Sequence, residues 1–388
     1  MKKVKVLHIL DSFGIGGAET WLLACTKYLK DNPNIQMEFD FLLTGGLESE
    51  LDEFVRLNGS KTYYKKYSFS RFFSFGFFLR KLLKNGKYNV IHNHGDFVSG
   101  WHSLAAIGLL PNIVITHLHN PYNYVNNYKS SFGRRISYNL GKYLMALFTT
   151  KLTGTSNFVL DEYGYDKWPF KRIRIQPLYC GFEINNFSFS EVSRKEIRSE
   201  LGWSKPEIKV ALFVGRIGIP DNSIFPNQKN PSFAFKIARK LIEKNTNWNF
   251  LFVGLKGVYG EELEAIVLKE GLENRIKFLG IRDDVSKIMS ASDAFVFPAL
   301  WEGLGMVMVE AQCNGLPIIV SDKLPKEAFI IESLVNEISL NAPVENWTQL
   351  IVETKNKKER HVNGNELKVS TFSINSSVLR MYNEYLND

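Results

Sequence analysis

Two carboxylates eight positions apart, Glu302 and Glu310, bracket the run Gly303-Leu304-Gly305-Met306-Val307-Met308-Val309. A β-rich stretch, Ala294 to Phe297, precedes them, so the pattern predicts Glu302 on the loop leaving a strand and Glu310 in the first turns of the next helix. The helix N-terminus between them offers unpaired N–H groups and a positive dipole end to an anion. A carboxylate accepts two hydrogen bonds well, which fits Glu310 to a ribose diol and Glu302 to sugar hydroxyls. The bland alternative is two solvated charges, yet Glu310 stands in the apolar run Met306 to Cys313, where an unpaired carboxylate is costly. Arg216 ends a second predicted strand, Ile208 to Val214, and Lys229 lies in Asn227-Gln228-Lys229-Asn230-Pro231, just ahead of a helix starting near Ser232. Two cations so placed neutralise the charge that grows on a departing diphosphate, the work magnesium does elsewhere; structural ion pairing is the other reading.

Four of the seven histidines, His92, His94, His117 and His119, fall at or just after predicted strands of the first half. Such clustering raises a metal site. However, H-x-H aims both rings to one side only where the strand continues, and no Cys, Asp or Glu spacing completes a ligand set, so no metal is expected. Participation of at least one histidine in chemistry is expected. The loop Gly14-Ile15-Gly16-Gly17-Ala18-Glu19 has the start of a dinucleotide fingerprint but Glu19 where its third glycine belongs. That weighs against a nicotinamide oxidoreductase. It leaves Gly16 and Gly17 as a place where backbone N–H groups approach a ligand phosphate or an acceptor, or as a simple tight turn.

These residues must be positioned by a repeating strand-loop-helix unit. Val4 to Leu10 reads as the first strand and Ala18 to Leu29 as the first helix, followed by strands at Met37 to Leu43, Asn89 to His92, Ile113 to His117 and Ile173 to Pro177. A polar, charged stretch from Ser188 to Lys209 interrupts the pattern, which restarts with Ile208 to Val214 and continues through Asn249 to Val253, Ile276 to Leu279, Ala294 to Phe297 and Pro317 to Val320. Alternating units imply an α/β chain with two doubly wound parallel sheets, each covered on both faces. The expected domains are residues 1–187, residues 188–370, and a C-terminal helix within 371–388 that packs back on the first. Two such sheets are expected to face one another across a cleft at their carboxyl ends, where open α/β folds bind ligands.

With 388 residues and 45% hydrophobic content, the chain can bury two large cores. No apolar run approaches the ~20 residues of a membrane span, and Lys5 interrupts what would be a signal core. Three scattered cysteines give neither a disulfide framework nor a zinc site. The expectation is a soluble, unprocessed protein of a reducing cytoplasm. A net charge of +8 points to an anionic partner. From Phe54 to Gly95 no acidic residue occurs, while nine lysines and arginines between Arg56 and Lys87 are interleaved with aromatics. That mixture suits an anionic membrane surface, contacted through residues 56–87; an ordinary helix with a basic solvated face is the plainer account. A nucleic-acid-binding protein would explain the charge but not Glu302 and Glu310, so no nucleic-acid partner is expected.

Taken together, Gly16-Gly17-Ala18-Glu19, Val214-Gly215-Arg216 with Lys229-Asn230, and Glu302-x7-Glu310 followed by Gly315-Leu316-Pro317-Ile318-Ile319 resemble glycosyltransferase family 4 over nearly the whole chain. Ile115-Thr116-His117-Leu118-His119-Asn120 resembles its capsule and exopolysaccharide branch. The resemblance implies a GT-B fold with two Rossmann-like domains and a retaining, metal-independent hexosyltransferase with no cofactor. It implies a nucleotide diphosphate sugar donor, UDP-linked by expectation, and a membrane-associated or oligosaccharide acceptor. On that analogy Arg216 and Lys229 hold the diphosphate, Glu310 the ribose and Glu302 the sugar, while Gly303, Leu304, Gly305 and Met306 supply backbone donors. His119 contacts the donor sugar near the reaction centre, with His117 the competing assignment. Where the family carries Asn-Gly-x-Asp, this chain has Cys180-Gly181-Phe182-Glu183, and Gly218 to Asn227 is an apparent insertion read as a lid or a mobile loop. A sugar-nucleotide epimerase of the same architecture is the nearest enzymatic rival.

Overall fold

The computed structural model describes residues 3–14, 16–121, 131–164, 173, 176–218, 227–354 and 371–386. Residues 219–226, most of the apparent insertion, and part of the expected strand Ile173 to Pro177 lie outside the described residues. The chain divides into two compact units, Met1–Glu183 with Ser370–Asp388, and Ile184–Val369.

In the first unit the chain order is β1 (Val4–Leu10), α1 (Gly17–Asp31), β2 (Met37–Leu43), α2 (Glu50–Leu57), β3 (Lys61–Tyr64), α3 (Phe72–Gly86), β4 (Val90–Asn93), α4 (Val98–Ala105), β5 (Ile113–Leu118), α5 (Phe132–Phe148), β6 (Lys151–Gly154) and α6 (Asn157–Tyr163). The strands form one parallel sheet in the order β3-β2-β1-β4-β5-β6. The second unit repeats the plan with α7 (Glu191–Glu200), β7 (Lys209–Val214), α8 (Pro231–Lys244), β8 (Trp248–Val253), α9 (Gly257–Lys269), β9 (Ile276–Phe278), α10 (Val285–Ala291), β10 (Ala294–Phe297), α11 (Met306–Cys313), β11 (Ile318–Ser321), β12 (Val335–Ile338) and α12 (Val344–Glu353). Its parallel sheet runs β12-β11-β10-β7-β8-β9, the same winding as the first. A last helix, α13 (Ile374–Leu386), belongs to the first unit.

Both sheets are buried on both faces, which is why β1, β7, β8, β10 and β11 read as nearly continuous apolar runs. The strands β3, β6 and β12 escaped the sequence pattern. Each is four residues long and sits at a sheet edge, too short for a periodic signal. The sixth strand of the first sheet is therefore Lys151–Gly154, not Ile173 to Pro177; Gln176 and Pro177 carry no strand structure.

The return of the chain is built at Gly181 and Phe182. Phe182 N–H donates to the Phe372 carbonyl, and Ile374 N–H donates to the Phe182 carbonyl, both at 3.0 Å. A Cβ on Gly181 would meet the Ser373 carbonyl oxygen at 2.6 Å, so glycine is required there. The departure from Asn-Gly-x-Asp thus keeps the one residue whose absence of side chain the crossing needs. α13 then packs on α1, with Trp21 Nε1 donating to Ser377 Oγ at 2.8 Å and Tyr28 OH to Asn375 Oδ1 at 2.9 Å.

In each sheet the winding reverses direction between neighbouring strands, β1 and β4 in the first and β7 and β10 in the second. The crevice beyond the carboxyl ends of such a pair is where an open sheet leaves room for a ligand. The glycine loop follows β1, His94 follows β4, Arg216 follows β7 and Glu302 follows β10.

Candidate active site

In the second unit, the loop between β7 and α8 and the loop after β10 are tied together by one backbone and one side-chain hydrogen bond. Leu300 N–H donates to the Gln228 carbonyl at 2.8 Å, and Asn230 Nδ2 donates to the Pro298 carbonyl at 3.0 Å. Asn230 itself takes φ +54°, a left-handed conformation that asparagine tolerates better than most residues, and Pro231 starts α8 behind it. These ties aim Lys229 at Glu302, and the two form an ion pair and hydrogen bond through Lys229 Nζ and Glu302 Oε1. The ammonium also stands 5.1 Å from the centre of the Phe297 ring. Both side chains are largely buried, so the pair is shielded from salt and water.

Glu302 adjoins the start of α11. Gly305 is the N-cap residue at φ +85°, no side chain caps the helix, and a Cβ on Gly305 would meet Met308 Cε at 2.4 Å. The uncapped first turn of α11, beginning at Met306, leaves N–H groups for an anion. Burial pushes the Glu310 carboxyl up to about 7, with the positive charge of Lys229 acting in the opposite direction. Among the described residues no hydrogen-bond donor reaches its carboxylate, which leaves both oxygens as acceptors. Arg216 is exposed, just past the point where Gly215 N–H donates to the Val253 carbonyl and Ile217 N–H to the Leu255 carbonyl. The structure therefore joins Lys229, Glu302 and Gly305 directly and places Glu310 in electrostatic range of Lys229. Among the described residues it gives Arg216 no ion-pair partner.

The first unit holds a different constellation. His8 and His92 are register partners on β1 and β4, and His94 N–H donates to the Ile9 carbonyl at 2.8 Å, so the pairing with β1 runs on past the end of β4. That continuation turns His92 and His94 to one side, ring centres 4.4 Å apart, and His117 and His119 do the same at 4.3 Å. His94 Nε2 lies 3.0 Å from His8 Nδ1, and His94 Nδ1 lies 2.8 Å from His119 Nε2. His92 bridges Tyr385 OH at 2.6 Å and His117 Nδ1 at 3.3 Å. Asp96, at φ +46°, accepts from His119 N–H at 2.9 Å and from Asn120 Nδ2 at 2.8 Å. Burial lowers His119 to about 4 and His8 to about 3, drives His92, His94 and His117 well below the ordinary range, and raises Asp96 to about 6.

Two triads, His8 with His92 and His94, and His94 with His117 and His119, have nitrogens within 4.8 Å of one another, a spacing compatible with a metal ion. The strand register brings the four histidines grouped in the sequence together and adds His8 to them. Both nitrogens of His94 already face ring nitrogens, in the run His8–His94–His119, while His92 links Tyr385 to His117, and Nε2 of His8 and of His117 is left without a hydrogen-bond partner among the described residues. His8, Asp96, Asn120 and Tyr385 were missed in the sequence; only the strand register and the path of α13 bring them here. Gly16 caps α1, and a Cβ there would meet Glu19 Oε2 at 2.3 Å, so the glutamate in place of the third glycine folds back over the loop.

The model for Glycosyltransferase Family 4 matches residues 15–185, and that for Glycosyl transferases group 1 matches residues 193–362. The chain belongs to glycosyltransferase family 4. Among curated proteins, this family 4 chain is 27% identical to the glycosyltransferase EpsF of Bacillus subtilis over 89% of its length and 86% of that protein's. It is 26% identical to the capsular polysaccharide biosynthesis glycosyltransferase CapH of Staphylococcus aureus, over 99% of each. It is also 26% identical to the UDP-Gal:alpha-D-GlcNAc-diphosphoundecaprenol alpha-1,3-galactosyltransferase of Escherichia coli, over 93% of each. Among solved structures, Anabaena HepE in complex with UDP matches with a TM-score of 0.71 at 17% identity, covering 99% of this chain and 96% of that one. The fold of this family 4 glycosyltransferase is GT-B, built of two Rossmann-like units.

Proposed function

We propose that this chain is a retaining, metal-independent hexosyltransferase that moves a sugar from a UDP-sugar to a lipid-diphosphate-linked or oligosaccharide acceptor, in capsule or exopolysaccharide assembly at the cytoplasmic face of the plasma membrane. The relatives support the donor and acceptor classes: a UDP-hexose and a diphosphoundecaprenol-linked sugar for the Escherichia coli enzyme, capsular polysaccharide for CapH. The HepE complex with UDP supports the nucleotide. The observation that carries the reading is the Lys229–Glu302 pair beside the uncapped start of α11.

In this reading Lys229, Arg216 and the N–H groups of Gly303 to Met306 take the diphosphate, as cations and a helix tip suit an anion. Glu310 takes the ribose diol, and Glu302 keeps Lys229 with one oxygen and a sugar hydroxyl with the other. His119 meets the donor sugar, and Gly16 and Gly17 supply the backbone of the first unit's loop. As the bond from the sugar C1 to the diphosphate oxygen breaks, its electron pair leaves on the phosphate, where the cations stabilise it. The acceptor hydroxyl forms the new bond to C1 on the same face and gives its proton to the departing phosphate oxygen.

The test is incubation with UDP-, GDP- and ADP-sugars, with and without a polyprenyl-diphosphate sugar, in the presence of a chelator. Transfer from the UDP donor with unchanged anomeric configuration is expected. An inverted product, a need for divalent metal, or conversion of the donor to its epimer without any acceptor would overturn the reading.

A further inference from the structure

One face of the first unit is apolar and exposed, and the stretch of sequence that builds it is rich in positive charge. On α5 the side chains of Phe132, Ile136, Leu140, Tyr143 and Leu147 recur at spacings of four, four, three and four, and each is between 43% and 80% exposed. They form a single stripe along four turns of helix. The opposite side, Tyr138, Gly141 and Met145, is buried on α4, where a Cβ on Gly141 would meet the Phe97 carbonyl oxygen at 2.6 Å. The stripe is thus on the solvent-exposed side of the helix. On the other flank of α4, Phe73 and Phe77 of α3 are 88% and 76% exposed, and Phe77 lies about one turn ahead of exposed Lys81 and two ahead of exposed Lys84. Trp101 of α4 touches Phe69 and Phe72 and donates from Nε1 to the Ser137 carbonyl, joining the two flanks.

The charge of the segment that builds this face is one-sided. Between Phe54 and Leu160 the sequence has fourteen lysines and arginines and one acidic residue, the buried Asp96. The rest of the chain carries thirty-four basic against thirty-nine acidic residues, so the whole positive excess resides in this part of one unit. A second copy of the chain would bring the same charge against itself, and a nucleic acid has no use for a five-residue aliphatic and aromatic stripe. An anionic bilayer matches both features, with basic side chains at head groups and apolar side chains below them. Within the basic-aromatic segment 56–87, by contrast, Phe75, Leu79, Leu82 and Leu83 are core, with Tyr63, Tyr67, Phe72 and Phe78 packed against it.

We propose that the outward face of α5, with Phe73 and Phe77 of α3, inserts into the interface of an anionic membrane and holds the protein there. No helix among the described residues is long and apolar enough to cross a membrane, so attachment is from one side. The proposal does not rest on the donor or acceptor.

The experiment is sedimentation of the full chain with acceptor-free vesicles of phosphatidylglycerol and phosphatidylcholine, or of phosphatidylcholine alone, against a Leu140→Asp/Leu147→Asp variant. The parent should partition to the anionic vesicles and less so as salt rises. The variant should partition at least about tenfold more weakly, because two apolar side chains no longer insert. Its thermal transition should be unchanged, since both positions face solvent. Equal partitioning of parent and variant would overturn the proposal. So would a lipid-free dimer that the variant dissociates, or binding to RNA that the variant abolishes.

Discussion

The rings of His94 and His119 meet nitrogen to nitrogen, with His94 Nδ1 2.8 Å from His119 Nε2. Because His94 also faces His8 Nδ1 through its other nitrogen, the tautomer of His119 is set by a partner that does not itself reach beyond the chain. Replacing His119 by Ala should lower the turnover rate by about a hundredfold or more if it meets the donor sugar. His94→Phe, which keeps a ring but no nitrogen, should lower it by roughly tenfold with little change in donor KM, and should alter the pH profile. Steady-state rates across pH distinguish the two roles. A His94→Phe enzyme with the parent's profile would contradict the positioning role.

The same burial makes the first unit sensitive to acid. His8, His92, His94, His102, His117 and His119 all hold their folded pKa below the unfolded value of 6.5. A depressed pKa means stability that is complete above 6.5 and is lost as pH falls towards the folded values, about 4 for His119 and about 3 for His8. Each such histidine contributes up to about 1.4 kcal/mol per pH unit within its window. Urea midpoints at pH 7.5 and 5 should therefore differ markedly. Equal midpoints would show that these rings do not remain neutral and buried.

Lys229→Ala should lower turnover by about 10² to 10³, the range seen when a preorganised group facing developing charge is removed. It also leaves the buried Glu302 carboxylate without its cation, so the variant should melt earlier as well. Arg216→Ala should cost rate without stability, because Arg216 is exposed. Parallel kinetics and thermal melts check the contrast. Near-normal rates in either variant would remove the metal-free account of leaving-group stabilisation.

Glu310 is half-buried, and the loss of solvent around its carboxyl raises the pKa to about 7, against 4.5 unfolded. The sign is opposite to that of the histidines: its contribution to stability is complete below 4.5 and is lost as pH rises through about 7. As a ribose acceptor it must be ionised, so donor KM should rise as pH drops below 7. Glu310→Gln should raise donor KM by about tenfold, with a smaller effect on kcat, and should flatten the dependence of KM on pH. A KM that stays level across this range in the parent enzyme argues against Glu310 in that role.

Asp293 has a structural assignment. Its carboxylate is 1% exposed, with Arg194 Nη2 at 2.7 Å, Arg198 Nη2 at 2.6 Å and Val210 N–H at 2.7 Å, so it locks α7 to the start of β7. Asp293→Ala strands two guanidinium groups and should cost about 3 to 5 kcal/mol, read from denaturant unfolding. At a temperature where the variant is folded, donor KM should match the parent's.

The amino-acid sequence alone determined the two winding units, because a strand buried on both faces must be apolar throughout and Val4–Leu10, Trp248–Val253 and Ala294–Phe297 show it locally. It also determined that Glu302 and Lys229 stand in loops at element ends and Glu310 within the following helix, since the flanking strand and helix patterns are themselves local. Edge strands such as Lys61–Tyr64 and Lys151–Gly154 were not legible, being held by a neighbour's ladder more than by their own composition. Only the tertiary structure decided that Lys229 pairs with Glu302, 73 residues away, through hydrogen bonds between two loops. Only the register of β1, β4 and β5 assembled five histidines from three segments, and only the packing of α5 on α4 left its apolar stripe outside. Local composition fixes what an element can be; which of its faces meets a partner depends on chain segments too distant to leave a trace in its own sequence.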